Sequence, residues 1–220
     1  MGKLIVLEGL DGSGKSTQLE LLEKNLAGFC DNYRVVSFPE YSEPSCEPVK
    51  MYLAGRFGSK ADDVNAYAAS ILYAVDRFAS YKIHWGEFYN NGGTILAGRY
   101  VTSNIIHQMA KLPESEWQEY LNWLYDLEFS KVGIPKPDLV IFLDMPNEIS
   151  ATLLSKRYKG DDSKKDIHEK DMEYLKRCSK AARYAAEKLD WFTVSCAENN
   201  VLKSPEIISN EIIAKVKKVL

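Results

Sequence analysis

Short apolar runs alternate with longer stretches of helical periodicity along this chain. The runs are continuously hydrophobic instead of alternating with polar residues, which is typical of parallel strands covered by helices on both faces. We predict strands at residues 4–7, 35–38, 94–97, 139–143 and 192–194. Helical patterns occupy the segments between and after them, at residues 16–27, 65–89, 114–129, 148–157, 167–189 and 205–219.

This alternation predicts one α/β domain spanning residues 1–220, built on a doubly wound, five-stranded parallel sheet flanked by helices. Ligands of such sheets bind at the carboxyl ends of the strands. That rule places Gly9, Pro39, Gly98 and Ala197 near one rim of the sheet. We therefore expect the functional site at this rim.

The segment 158–166 is polar and interrupts two predicted helices, so we predict a short lid at about 156–168. Around it, residues 156–170 hold six basic and four acidic side chains, in a chain that is negative overall. A run of charge is most often only solvated. A basic lid near the rim of the sheet, however, would be placed to contact an anionic ligand.

The overall composition narrows the classes of partner. The chain is 45% hydrophobic and carries 28 basic against 31 acidic residues, a net charge of -3. Proteins that bind the backbone of a nucleic-acid polymer usually have a basic excess, which this chain lacks. No apolar stretch is long enough to span a membrane. We expect a cytoplasmic protein that binds neither nucleic-acid polymers nor membranes.

The strongest chemical signal is a phosphate-binding loop at residues 9–16, Gly-Leu-Asp-Gly-Ser-Gly-Lys-Ser, which fits the pattern G-x-x-x-x-G-K-S/T between a predicted strand and a predicted helix. Backbone N–H groups of such a loop surround phosphate, and the helix N-terminus adds a favourable dipole. Lys15 would bridge the outer phosphates of ATP, and Ser16 would bind the Mg²⁺ that accompanies it. The predicted ATP-binding residues are Gly9, Asp11, Gly12, Ser13, Gly14, Lys15, Ser16 and Thr17.

The loop alone does not distinguish among GTPases, transport ATPases and kinases. We find no Asn-Lys-x-Asp segment of the kind that reads guanine in GTPases, and transport or motor ATPases usually need a longer chain. The loop therefore indicates a nucleotide-binding site and little more.

Further motifs extend along the chain, at residues 7–17, 38–40, 73–77, 98–103 and 135–143. Together they resemble bacterial thymidylate kinases from the first strand to the last helix. The resemblance implies the P-loop kinase fold, ATP-dependent phosphorylation of dTMP to dTDP in dTTP synthesis, and a homodimer. Open alternatives are a kinase for another nucleotide or nucleoside, and a weakly active nucleotide-binding protein.

Tyr73 and Arg77 are four residues apart on one predicted helix and share a face. An aromatic ring and a guanidinium there would stack on a base and hydrogen-bond to it. The alternative interpretation is structural, with Tyr73 in the core and Arg77 at the surface. The resemblance implies that they hold thymine. It also places Arg99 against both phosphates, and Asp11 near the acceptor sugar or the metal. The other implied substrate residues are Phe38, Ser103, His107 and Gln108, with His107 where the family usually has an aromatic residue.

Two features depart from parts of the family pattern. Some members have a catalytic basic residue inside the phosphate-binding loop, which this chain lacks, and in others the lid supplies it. Arg157 is our candidate, followed by Lys159 and Lys164. The third-strand motif of the family begins with an aspartate, and here that position is Gly98. Glu8 or Asp11 would then have to substitute for the missing acid, and Glu8 is our candidate on the metal side.

Overall fold

The computed structural model describes residues 1–159, 161 and 166–220. At its centre is a five-stranded parallel sheet with the strand order β2-β3-β1-β4-β5. The strands are β1 (Lys3–Gly9), β2 (Tyr33–Ser37), β3 (Thr94–Gly98), β4 (Leu139–Asp144) and β5 (Phe192–Ser195). The predicted fold class is therefore confirmed, and each predicted strand lies within two residues of its expected bounds.

Helices cover both faces of the sheet. They are α1 (Lys15–Leu26), α2 (Glu47–Leu53), α3 (Ala66–Ser80), α4 (Gly86–Asn90), α5 (Val101–His107), α6 (Trp117–Tyr125), α7 (Asn147–Arg157), α8 (Met172–Lys188) and α9 (Pro205–Val216). The sequence patterns did not predict α2, α5, or a small antiparallel hairpin of β6 (Ala197–Glu198) and β7 (Val201–Leu202).

Two predicted helices contain π-helical turns. Tyr81–Trp85 separates α3 from α4 within the predicted helix at 65–89, and Asp126–Val132 follows α6. Such turns are rare and often occur at functional sites. The second of them carries Glu128, which is buried and pairs with Arg77.

The helix predicted at 167–189 begins five residues later, at Met172. The side chain of Asp171 accepts a hydrogen bond from the backbone N–H of Tyr174 at 2.9 Å and so caps α8. Upstream, the carboxylate of Asp166 accepts from the N–H groups of His168 and Glu169 at 2.8 and 2.9 Å. These bonds hold 166–169 as a separate turn, because an aspartate side chain competes with the backbone for N–H donors.

The core has two layers because side chains of a strand alternate between its faces. On β1, Leu4 and Val6 pack into the layer that contains α5, α6 and α8. Ile5 and Leu7 pack into the opposite layer, against α1 and α9. None of the helices that the structure describes is long and apolar enough to span a bilayer.

The strand register aligns the carboxyl ends that the sequence predicts to form one rim. Leu7 of β1 and Ser37 of β2 both pair with Gly98 of β3, and Gly9 pairs with Leu143 of β4. The segments that follow these strands therefore meet at one edge of the sheet.

Candidate functional site

The loop between β1 and α1 has the backbone of a phosphate-binding loop. Gly12 and Gly14 have φ angles of 77° and 84°, in the left-handed region that favours glycine. The Nζ atom of Lys15 folds back over the loop and donates to the carbonyl oxygens of Gly9 and Leu10, at 2.8 and 2.7 Å. Burial lowers the pKa of Lys15 to about 7; the charge of Arg99 adds to this effect.

Helix α7 packs closely against the loop at Gly12. A Cβ atom on Gly12 would lie 2.6 Å from the carbonyl oxygen of Ser150 and 2.9 Å from a side-chain carbon of Leu154. The hydroxyl of Ser150 also donates to the carbonyl oxygen of Asp11. Position 12 therefore has no room for a side chain while α7 stays in this place.

Arg99 lies immediately after β3 and connects the two ends of the site. Its guanidinium pairs with the carboxylate of Asp11, and its Nη1 atom contacts the Ser103 hydroxyl at 3.4 Å and Nε2 of His107 at 3.3 Å. Burial would raise the pKa of Asp11, but Arg99 and Lys15 hold it well below its usual range. The backbone of Arg99 has φ = 68°, a conformation that costs a non-glycine residue about 1–2 kcal/mol.

Glu8, near the end of β1, holds the segment around Arg99 in place. Its fully buried carboxylate accepts from the N–H of Tyr100 at 3.1 Å, from the hydroxyl of Thr102 at 2.6 Å and from the hydroxyl of Ser103 at 2.9 Å. Glu8 thus anchors the segment that links β3 to α5 and that carries Arg99.

A single cavity of about 1150 Å³ runs from the phosphate-binding loop past Arg99 into the space between α3 and α5. Nearly all of the predicted site residues line it. They are Asp11, Gly12, Ser13, Gly14, Lys15, Ser16, Thr17, Phe38, Tyr73, Arg77, Arg99, Ser103, His107, Gln108 and Arg157. Gly9 and Glu8 do not line the cavity.

The far end of the cavity contains Tyr73 and Arg77, as the helical spacing predicts. Arg77 is buried instead of exposed, and it forms an ion pair with the buried carboxylate of Glu128. Phe38 is also buried, with its ring centroid 5.9 Å from that of Tyr100. The neighbouring Asp76 accepts from the backbone N–H of Glu40 at 2.9 Å and so holds the loop after β2 against α3.

A polar cluster that the sequence analysis did not identify lies beside this end. The ring of His107 stacks on that of His168, with centroids 5.7 Å apart and planes 12° from parallel. The Tyr52 hydroxyl lies 2.7 Å from Nε2 of His168 and accepts from Nζ of Lys111 at 2.8 Å. Burial, assisted by the charge of Lys111, lowers the pKa of His168 to about 3. Burial also holds the pKa of His107 well below its usual range.

The predicted lid is only partly described. Arg157, at the end of α7, is exposed; its guanidinium carbon lies 5.4 Å from the centre of the Tyr158 ring. On the far side, Asp166 lines the cavity, and burial raises its pKa to about 6. Lys159 is exposed, whereas Lys164 lies outside the described residues.

Glu128, Tyr52 and His168 were all missed by the sequence analysis. For Glu128 a signal exists, since the buried residues of α6 recur as Trp117, Tyr120, Leu121 and Leu124, and position 128 continues that stripe. A charged residue in an apolar stripe requires a buried partner. Tyr52 and His168 give no comparable signal.

Gly98 lies where the family pattern has an acid, and neighbouring side chains fill the space that a side chain at position 98 would need. A Cβ atom there would be 3.0 Å from Cδ2 of Leu19 and 3.2 Å from the hydroxyl oxygen of Ser37. A side chain at position 98 therefore requires its neighbours to move.

Comparisons with known proteins show which family the sequence and the fold resemble. The family model for thymidylate kinase matches residues 7–208. A probable thymidylate kinase from Methanosarcina barkeri is 31% identical over 98% of this chain and 96% of its own length. The thymidylate kinase of Mycobacterium tuberculosis is 29% identical over 79% of this chain and 81% of its own length. The structure of a Candida albicans thymidylate kinase superimposes with a TM-score of 0.71 at 22% identity, over 100% of this chain and 94% of that one.

Proposed function

Because this chain belongs to the thymidylate kinase family, it phosphorylates dTMP at the expense of ATP, and we propose that the described cavity binds both nucleotides. ATP occupies the phosphate-binding loop, and the thymine ring of dTMP occupies the end formed by Tyr73 and Arg77. In this proposal the chain, 1–220, acts as one catalytic domain. The relatives come from bacteria, archaea and eukaryotes, so the resemblance is not restricted to the bacterial enzymes.

The observation that carries this placement is the position of Arg99. It lies between the loop and the acceptor end, in one continuous cavity, and pairs with Asp11 of the loop. A guanidinium at this point contacts the acceptor phosphate on one side and the transferred phosphoryl group on the other. Lys15 exchanges its bonds to Gly9 and Leu10 for bonds to the phosphates of ATP.

The reaction needs positioning and charge neutralisation more than proton transfer. The acceptor phosphate is already anionic at neutral pH, so no general base is required. Phosphoryl transfer proceeds in line and spreads negative charge over the transferred oxygens. Lys15 and Arg99 stabilise that charge in a site shielded from water, where such interactions are strong. Arg157 supplies the further basic group, because position 12 has no room for one.

Magnesium accompanies ATP in phosphoryl transfer, and the donor set suits an ion that arrives with the nucleotide. Ser16 offers an exposed hydroxyl at the wall of the cavity. The carboxylate of Glu8 is engaged by four donors, and that of Asp11 by Arg99. Protein sites usually give magnesium one or two groups beside phosphate and water, so Ser16 and the phosphates of ATP would hold it. Bound there, it supplies charge neutralisation. A metal-side role for Glu8 stays a prediction.

The substrate assignment is tested by ADP release with ATP and each of dTMP, dUMP, UMP, dCMP, dGMP and thymidine. We expect the highest kcat/KM with dTMP. Equal or better turnover of dGMP would contradict the placement of a pyrimidine beside Tyr73 and Arg77.

We also propose a homodimer, as the family resemblance implies. Ile71, Val75 and Phe78 are 48, 49 and 43% exposed and lie on one face of α3, at i, i+4 and i+7. A second copy packing against this face would bury an apolar stripe that is otherwise in water. Light scattering should give about twice 24.9 kDa, and Val75→Lys should shift the mass toward the monomer. A monomer at all concentrations refutes the dimer. The cytoplasmic location stays a prediction.

A further inference from the structure

Glu128 is a buried charged residue next to the cavity that has no part in the proposed phosphoryl transfer. It lies on the π-helical turn Asp126–Val132, and its side chain has no solvent exposure. Its carboxylate accepts from Nε of Arg77 at 3.4 Å and makes a second, shorter contact with Nη2 of the same guanidinium. Placing a carboxylate here is costly unless its charge is matched, and Arg77 matches it.

The ion pair leaves the Nη1 group of the Arg77 guanidinium available to a ligand. Nε and Nη2 of Arg77 are bonded to Glu128, whereas Nη1 has no hydrogen-bond partner among the described residues. Arg77 also lines the cavity. A guanidinium has only N–H donors and no acceptor. The ligand atom that meets Nη1 must therefore be a hydrogen-bond acceptor.

Glu128 also changes which acceptor is favoured. A buried guanidinium without a counter-charge attracts any anion, including the phosphate of a misplaced nucleotide. Paired with Glu128, the group is neutral overall and fixed in direction, which suits a neutral acceptor such as a base carbonyl. Thymine and uracil have a carbonyl oxygen at C4, whereas cytosine has an amino group that donates. Cytosine would place a donor against a donor.

The family resemblance already implies that Arg77 holds a carbonyl oxygen of thymine. We propose that Glu128 is a positioning residue that fixes the Arg77 guanidinium for this contact, and that without Glu128 the preference for thymine and uracil over cytosine is lost. The inference rests on the proposed placement of dTMP at this end of the cavity. It adds to that placement a residue that does not contact the substrate and that acts through Arg77.

The first test is Glu128→Gln, which keeps the length of the side chain and removes its charge. Affinities for dTMP and dCMP are measured by titration calorimetry, and kcat and KM are measured with each. We expect Kd and KM for dTMP to rise about tenfold, which corresponds to about 1.4 kcal/mol, with little change for dCMP. The value of kcat should stay within about twofold, because the base contact is the same in the ground state and the transition state. Glu119→Gln, on the exposed face of α6, is the matched control.

A second variant separates recognition from folding. Replacing a buried ion pair by apolar residues of similar volume is often neutral or stabilising, so Arg77→Met combined with Glu128→Leu should fold normally. It should bind dTMP and dCMP equally well. A folded variant that keeps the wild-type preference for dTMP, or a wild-type protein without such a preference, overturns the inference. A wild-type protein that binds dCMP but not dTMP overturns the proposed function as well.

Discussion

His168 should make the folded protein sensitive to mild acid. Its ring is buried between His107 and the Tyr52–Lys111 pair, and its pKa is lowered to about 3 from an ordinary value of 6.5. The unfolded chain binds a proton at this ring as the pH falls through 6.5, whereas the folded protein does not until about pH 3. Stability contributed by His168 is therefore present above pH 6.5 and is lost progressively below it.

The size of the effect follows from the two pKa values. At pH 5 the unfolded ring is about 1.5 pH units below its pKa, and each unit is worth about 1.4 kcal/mol. His168 alone should therefore lower the free energy of unfolding by about 2 kcal/mol between pH 7 and pH 5. Asp166 acts in the opposite direction, because burial raises its pKa to about 6. The measurement must therefore compare the wild type with a variant that lacks His168, each at both pH values.

His168→Gln removes the titrating ring and keeps a polar side chain that reaches Tyr52. Urea unfolding at pH 7 and pH 5 gives the free energy of unfolding for both proteins. The variant is expected to be less stable at pH 7, but to lose about 2 kcal/mol less than the wild type on going to pH 5. His84→Gln, at an exposed histidine, should follow the wild type. If His168→Gln shows the same pH dependence as the wild type, His168 is not held neutral in the folded protein and the reasoning is wrong.

Three further outcomes are expected. Lys15→Ala should abolish nearly all turnover while the Tm stays within a few degrees, because Lys15 serves phosphate charge and not packing; unchanged turnover would refute the ATP site. Gly12→Ala should destabilise the protein by about 1–3 kcal/mol more than Gly14→Ala in urea unfolding, since both glycines have positive φ but only position 14 has open space; equal losses would show that α7 moves away easily. Gly98→Asp should lower the Tm by crowding Leu19 and should give no gain in kcat at any magnesium concentration; a faster enzyme would mean that the missing carboxylate limits the reaction.

The phosphate-binding loop could be predicted from the sequence because its geometry is local. The glycines, Lys15 and Ser16 are consecutive, and the strand and helix on either side fix where they lie. The rim of the sheet was predictable for a similar reason, since parallel strands with right-handed crossovers bring their carboxyl ends to one edge. That rule places Gly98 at the rim, and Arg99 follows it directly, whereas the contact of Arg99 with the phosphates was implied by the family resemblance.

The residues that pair with the site residues could not be predicted from the sequence. Arg77 was expected to be either a base-binding residue or a surface arginine, and its burial depends on Glu128, 51 positions away. The stacking of His107 on His168 joins residues on α5 and the turn before α8. Such pairs depend on packing between helices, which hydrophobic periodicity does not encode. The space beside Gly98 is likewise set by side chains from two other segments.

The contact between Gly12 and α7 also restricts how this protein can evolve. A basic residue introduced at position 12 would first clash with the backbone carbonyl of Ser150. A shift of α7 would relieve that clash, but it would also move Arg157 at the other end of the same helix. A side chain at position 12 therefore conflicts with the present place of α7, and its introduction requires linked substitutions in which the helix changes before the loop.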